Sequence, residues 1–585
     1  MAKDFSSVTR RLNGVIKDRS GLGMKRLLSV VWVMTTACSS SSGQSPPPSN
    51  PIATVIVNAR VWTGVPAAPW AEAIAVSGER VAAVGTSDEI RKLAPGVTPF
   101  DAAGRLVVPG FIDSHVHFVD GGFRLASVQL RDAKTREEFV RRVGAFAATV
   151  PAGTWIEGGD WDHSLWGGEL PRREWIDAVT PQHPVWINRL DGHMALANSA
   201  ALKAAGLTSA TKSVAGGEIV RSPGGEPTGL LKDNAMALVD RVVPPPSDAM
   251  RDRALAAAMK YVAEQGVTSV HNMGTWDDLA TFARARKSSL LATRIYGVVP
   301  LKDWERLRDA VGRNEYGGAN GRGDEWLRVG GLKGFVDGSL GSHTAAFHQP
   351  FDDSPKDRGL LVNTPEDLYR WIKGGDAAGL QVMVHAIGDR ANAMLLDIFE
   401  RVAGEHGPRD RRFRIEHAQH LAAVDIPRFA KLGVIPSMQP YHAIDDGRWA
   451  EKYIGARIRT TYAFRSLLDS GARPAFGSDW YVAPPTPLEG IYAAVTRRTL
   501  DDRNSAGWVP EQKISVEEAL RAYTTGAAYA SFDESTRGVL SPGSAADFVL
   551  LERNIFEVPS EEIRNVRVLM TFVGGRKVFD RGKGS

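Results

Sequence analysis

From about residue 254 onward the chain alternates between short apolar runs and amphipathic stretches, and no other feature of it restricts the fold so tightly. The apolar runs are Val267 to His271, Thr293 to Val299, Val329 to Val336, Leu380 to Val384, Phe413 to Glu416, Val434 to Met438 and Pro474 to Phe476. Between them, stretches such as Ala254 to Gln265 and Asn392 to Val402 carry apolar residues at helical spacing. Strand and helix in alternation predict an α/β fold with a parallel sheet. The number of units, and the polar residues that close several of the runs, favour a TIM-like (β/α)8 barrel over an open sheet. In such a barrel catalytic groups collect at the C-terminal ends of the strands.

Upstream, Leu106, Val107 and Val108 read as a buried strand broken by Pro109-Gly110, after which Phe111 and Ile112 resume the extended run toward His115 and His117. Side chains alternate faces along a strand, so these two imidazoles point the same way. Two neutral imidazoles on one side make half of a metal site; a bare His-x-His is otherwise a pair of surface or core histidines. Other polar residues stand at or near the ends of later runs: Lys333, His385, His417 and Asp479. Each alone reads as a hydrogen-bonded structural residue. Together, four His, one Asp and one Lys at strand ends point to one shared site. His271 ends another strand and either assists there or is structural.

Short strands also fill both termini. Residues 52–108 and 538–580 predict one small β-sandwich domain built from the two ends, around the barrel of 109–537. Residues 119–245 are too long for a simple connection and are read as a large insertion after the first barrel strand, a lid or pocket wall. It holds Trp155, Trp161, Trp166, Trp175 and Trp186, a Gly-rich stretch at 215–229, and an exit at Pro244-Pro245-Pro246. Asp160, Trp161, Asp162, His163 and Trp166 are candidates to line a pocket, with the tryptophans alternatively forming the insertion's own core.

With 585 residues, 43% hydrophobic and 24% charged, the chain has ample material for such a core. A net charge of +4 without long basic blocks gives nucleic-acid binding no support. Near the start, Lys25-Arg26 precede an apolar segment from Leu27 to Ala37, too short to span a bilayer comfortably. Residues 1–38 are therefore expected to be an export signal, with Met24 an alternative start, and residues 39–51 a flexible tether. Cys38, the one cysteine, stands where a bacterial lipoprotein is lipidated, although Thr35 replaces the usual Leu; ordinary cleavage is the alternative. The expected location is the periplasm or, through a lipid anchor at Cys38, a membrane surface.

These motifs resemble the amidohydrolase superfamily over about residues 52 to 580. Within it they look like the amidohydrolase-3 branch of YtcJ-like proteins and N-substituted formamide deformylases. The branch-level cues are Asp191-Gly192-His193 with Asn198-Ser199, Asp337-Gly338-Ser339-Leu340-Gly341-Ser342, His385-Ala386-Ile387-Gly388-Asp389 and Glu416-His417-Ala418. His343 departs from the pattern, which usually has Arg there and so bears on a substrate contact. The resemblance implies that His115 and His117 form the first metal-binding pair, that His385 and His417 are the histidines after the fifth and sixth strands, and that Asp479 is the acid after the eighth. It places Lys333 where many relatives carry a carboxylated lysine bridging two metals. A plain lysine is a poor ligand, whereas its carbamate is an anionic oxygen donor; the alternative is an unmodified Lys333 paired with Asp337 or another acid.

Imidazole and carboxylate suit a divalent metal, with zinc the expected ion, one or two of them. Such a metal activates water and polarises a carbonyl, and Asp479 is then the catalytic proton carrier. The expected activity is hydrolysis of a non-peptide carbon–nitrogen bond in a small amide or N-formyl substrate. Ester, lactone or cyclic-amide hydrolysis stays open, as does a surface lipoprotein that binds a ligand without catalysis. Asp160, Trp161, Trp166, His193, His271 and His343 are the pocket candidates. A small-molecule substrate is the expected partner, and a homodimer is one arrangement the reading allows.

Overall fold

The computed structural model describes residues 50–582. The export segment, Met24, Cys38 and the tether up to residue 49 lie outside the described residues. Eight strands form the central sheet: β1 (Phe111–Val116), β2 (Val267–Met273), β3 (Arg294–Pro300), β4 (Leu327–Phe335), β5 (Gln381–Ala386), β6 (Arg414–His417), β7 (Ile435–Met438) and β8 (Ala475–Phe476). They neighbour one another in chain order and all run parallel, the arrangement that alternating strand and helix demands.

Beyond the short β8, residues on either side of the β8–β1 seam close the ring. Asp479 N–H donates to His115 O (2.7 Å) and His117 N–H to Trp480 O (2.6 Å). The Ser478 N–H and hydroxyl both donate to the buried Asp113 carboxylate, at 2.8 and 2.5 Å. A side chain at Gly477 would come within 2.6 Å of the His115 backbone nitrogen, so only glycine lets the two segments approach this closely. This seam holds three of the expected site residues, His115, His117 and Asp479.

The crossover helices follow their sequence signals. Ser247 caps the helix Asp248–Glu264, Thr275 and Asp278 form a capping box on Trp276–Lys287, and Thr364 caps Pro365–Ala377 with proline in its first turn. In Asp389–His406 the residues Ala391, Leu395, Phe399 and Val402 recur at helical spacing and are buried.

Two sheets at the termini pack on each other. Four strands between Ile52 and Asp101 make one; the other joins strands between Arg60 and Pro109 to Phe548–Leu551, Val568–Val573 and Arg576–Asp580. Ile56, Ile74, Val107, Leu550 and the stacked pair Phe548–Phe572 fill the space between them. Asp547 ties this unit to the barrel: it accepts from the buried Arg294 guanidinium at 2.7 and 3.1 Å and from Gly574 N–H at 2.7 Å.

Between β1 and β2 a separate six-stranded sheet runs from Val128–Gln129 to Pro227–Asp233. Its core contains Leu130, Phe139, Trp161, Trp175 and Ile187, with Trp166 packed against them. No described helix is long and apolar enough to cross a membrane.

Candidate active site and metal centre

The C-terminal ends of the strands open into a cavity of about 180 Å³. His115, at the end of β1, is fully buried. Its Nδ1 lies 2.6 Å from Glu416 Oε2, and Arg414 clamps the same carboxylate at 2.7 and 3.1 Å. Burial works against a charged Glu416, but Arg414 and His115 outweigh it and hold the carboxyl below its usual range. An ionised Glu416 accepts, so the imidazole proton sits on Nδ1 and Nε2 keeps its lone pair. Burial and the nearby Lys333 push His115 down to about 4, which keeps the ring neutral. His417 follows the same logic, with Nδ1 2.8 Å from Gln439 Oε1 and burial holding its pKa well below the ordinary value.

Both histidines of the first pair, His115 and His117, face Asp479. Its Oδ1 lies 3.4 Å from His115 Nε2 and 3.3 Å from His117 Nε2. One ligand atom each from His115, His417 and Asp479 all fall within 4.8 Å of one another. Burial alone would raise the Asp479 pKa, but the surrounding histidines hold it well below the usual carboxylate range. Asp479 Oδ1 is nonetheless a buried oxygen without a hydrogen-bond partner. Lone pairs converging on an unpartnered carboxylate oxygen are costly unless a positive charge sits among them. A divalent cation fits this donor set, with Glu416 and Gln439 orienting the imidazoles from behind as they do around metal-ligating histidines.

Lys333, on β4, brings Nζ to 3.2 Å from His115 Nε2, and burial lowers its pKa to about 8. It does not pair with Asp337, whose carboxylate accepts the backbone N–H groups of Ala346, Ile387 and Gly388. His385 packs its ring 4.6 Å from that of His417 but lies outside the tight trio, its Nε2–H directed at Gly338 O at 3.0 Å. His193 lines the cavity beside it, with Nδ1 held by Asp233 at 2.7 Å.

The other pocket candidates lie elsewhere. Trp161 is fully buried in the insertion, its Nε1–H donated to Ile187 O, and Trp166 stacks against it. Asp160 accepts from Asn188 at 3.2 Å and faces Arg124 at 3.6 Å. It is Asp162 that reaches the cavity wall. His271 is buried behind the site and accepts from Arg414 at 2.9 Å, so it supports Glu416 from below and does not meet substrate. His343 pairs with Asp353 at 3.0 Å and packs on Phe351 and Tyr453, away from the cavity lining. The sequence reading missed Glu416 and Gln439 as orienting groups and the wall residues His442, Asp445 and Asp446. The last three follow β7, where the barrel rule alone would have directed attention.

The model of the amidohydrolase family matches residues 99–579. The protein LONG AFTER FAR-RED 3 of Arabidopsis thaliana is 41% identical over 550 residues, covering 91% of this chain and 93% of that protein. The N-substituted formamide deformylase of Arthrobacter pascens is 29% identical over 562 residues, covering 90% and 98%. Among solved structures, an uncharacterised metal-dependent hydrolase from Pyrococcus horikoshii superposes with a TM-score of 0.71 at 28% identity, covering 87% of this chain and 99% of that one.

Proposed function

The chain belongs to the amidohydrolase family, and from that premise we propose that it is a metal-dependent hydrolase of a non-peptide carbon–nitrogen bond in a small amide or N-formyl compound. The observation that carries the reading is the convergence of one ligand atom each from His115, His417 and the buried Asp479 within 4.8 Å, with the Nδ1 protons of both imidazoles held on the far side of the rings by Glu416 and Gln439.

His115, His117, His417 and Asp479 would hold the ion, with Lys333 as its carbamate and His385 beside them. The bound ion would supply a Lewis acid that acidifies water and polarises the scissile carbonyl. Asp479 takes the proton of the attacking water and gives it to the departing nitrogen, so that the carbon–oxygen bond forms as the carbon–nitrogen bond breaks. Arg414 and Glu416 keep His115 in the tautomer that leaves Nε2 free. Tyr481, Leu190 and Phe335 line the same cavity and exclude water around an apolar substituent. The likeness to a formamide deformylase supports a formyl or similarly small acyl group.

Chelation is expected to abolish hydrolysis of N-substituted formamides and zinc to restore it. Full turnover by protein shown to be metal-free would reject the proposal. Esters of matching shape, assayed in parallel, separate carbon–nitrogen from carbon–oxygen cleavage.

A further inference from the structure

The cavity wall that continues past His417 has an uneven charge balance. Four carboxylates line it: Asp162, Asp191, Asp445 and Asp446. Arg189 is engaged by Asp191 at 2.6 Å and faces Asp162 at 3.4 Å. Arg448 bridges Asp162, at 3.3 Å, and Asp445. Each guanidinium is thus shared between two acids. The hydrogen bonds of Asp446 come from neutral groups: its Oδ2 accepts from Tyr462 Oη at 2.6 Å and Gln419 Nε2 at 2.8 Å. One turn earlier on the same helix (Pro440–Asp446), and so on the same face, His442 also lines the cavity. Its Nε2 is buried and has no hydrogen-bond partner. Burial pushes the Asp446 carboxyl up to about 7, so its negative charge, and any selection it sets, develop fully above that pH.

We infer that this wall selects the nitrogen side of the substrate for neutral or positive charge, with Asp446 setting the selection and the unpartnered Nε2 of His442 offering a hydrogen bond. The inference rests on the proposed amide or formamide hydrolysis. In a formamide the acyl side is a single hydrogen, so nearly all of the substrate extends from nitrogen and must lie along the cavity wall. A carboxylate carried there meets acids whose guanidinium partners are already shared. An amine, an ammonium or a carboxamide finds hydrogen-bond acceptors.

N-formylphenylalanine and its primary carboxamide differ in charge at nearly constant shape. With the metal-loaded enzyme, kcat/KM is expected to be at least tenfold higher for the carboxamide, and Asp446→Asn should narrow that ratio at least threefold. A second measurement needs no turnover. In calorimetric titration of the zinc-loaded protein, phenethylammonium should bind at least tenfold more tightly than phenethyl alcohol, an advantage reduced in Asp446→Asn. Equal handling of carboxylate and carboxamide, equal binding of alcohol and ammonium, or a preference untouched by Asp446→Asn would overturn the inference. If neither formamide turns over while the ammonium preference holds, the N-formyl reading of the substrate fails and the wall's preference for positive charge stands.

Discussion

Glu416→Gln tests how the metal site is held. Both carboxylate oxygens are engaged by donors: Arg414 reaches Oε1 at 2.7 Å and Oε2 at 3.1 Å, and His115 Nδ1 reaches Oε2 at 2.6 Å. Glutamine keeps the shape but replaces one oxygen with an NH₂ group, so Arg414 faces a donor in either orientation and His115 faces one as well when the NH₂ takes the Oε2 position. If the ring responds by moving its proton to Nε2, the lone pair aimed at Asp479 is lost. Removing such an outer partner typically costs 10- to 100-fold in metal affinity, about 1.4–2.7 kcal/mol. Arg414 is fully buried and also loses the negative charge beside it, a defect on the order of 3–5 kcal/mol in stability. Zinc affinity measured by chelator competition should fall by one to two decades, and calorimetric unfolding should shift downward in parallel. Asp547→Asn is the control, because it weakens another buried arginine pair, Arg294–Asp547, in the terminal unit. It should lower stability and leave zinc affinity within about threefold. Should Glu416→Gln unfold earlier yet bind zinc as tightly as the parent protein, Glu416 does not orient His115 for a metal.

Reconstitution of metal-stripped protein with zinc should be faster and more complete when bicarbonate is present, and more so above about pH 8, since burial lowers the Lys333 pKa to about 8 and enlarges the fraction of neutral amine able to add carbon dioxide. Lys333→Ala should remain inactive with bicarbonate and recover part of its turnover with a short carboxylic acid; an active Lys333→Ala enzyme would exclude a liganding carbamate. Asp547→Ala should cost about 3 kcal/mol by removing the bidentate partner of the buried Arg294, which keeps only Glu325 at 3.8 Å, read by denaturant unfolding, with kcat of the folded fraction unchanged. Trp161→Ala removes a fully buried indole and should cost about 3–5 kcal/mol. Because its sheet carries Asp162 and Arg189 into the cavity wall, KM should rise while zinc affinity holds.

The barrel was legible because most strands contain a short apolar run, such as Gln381–Ala386, whose closing residues change character at the cavity. The spacing of His115 and His117 encodes their shared direction, and His385, His417 and Asp479 stand just where apolar runs stop. The insertion was less legible for a physical reason. Its strand Ile156–Trp161 carries a register shift between Gly159 and Trp161, and Asp160 between them adopts a left-handed backbone with φ +53°. A bulge inverts the alternation on which any inside–outside reading depends. Trp161 therefore turns into the insertion's core, and Asp162 turns toward the cavity. No count of alternating residues from Ile156 onward would assign these two side chains correctly. The indole's burial is a consequence of the bulge as much as of its size.

The same left-handed backbone recurs at the centre of the site. His417 has φ +74° and Asp479 φ +61°, conformations that cost non-glycine residues roughly 1–3 kcal/mol each. Neither is held by its own preference. Asp479 is fixed by its N–H bond to His115 O and by Ser478 on Asp113, and the chain beyond His417 by the bond from Tyr462 N–H to Gln419 O. A strand that simply continued would turn the next side chain to the opposite face. The left-handed step ends the strand while its last functional group still points inward. Two ligands from distant parts of the chain thereby reach the β1 histidines without lengthening β6 or β8. The strain at Asp479 is tolerated because hydrogen bonds across the seam between β8 and β1 hold the segment in place, so the elements that close the ring also bring the ligands together.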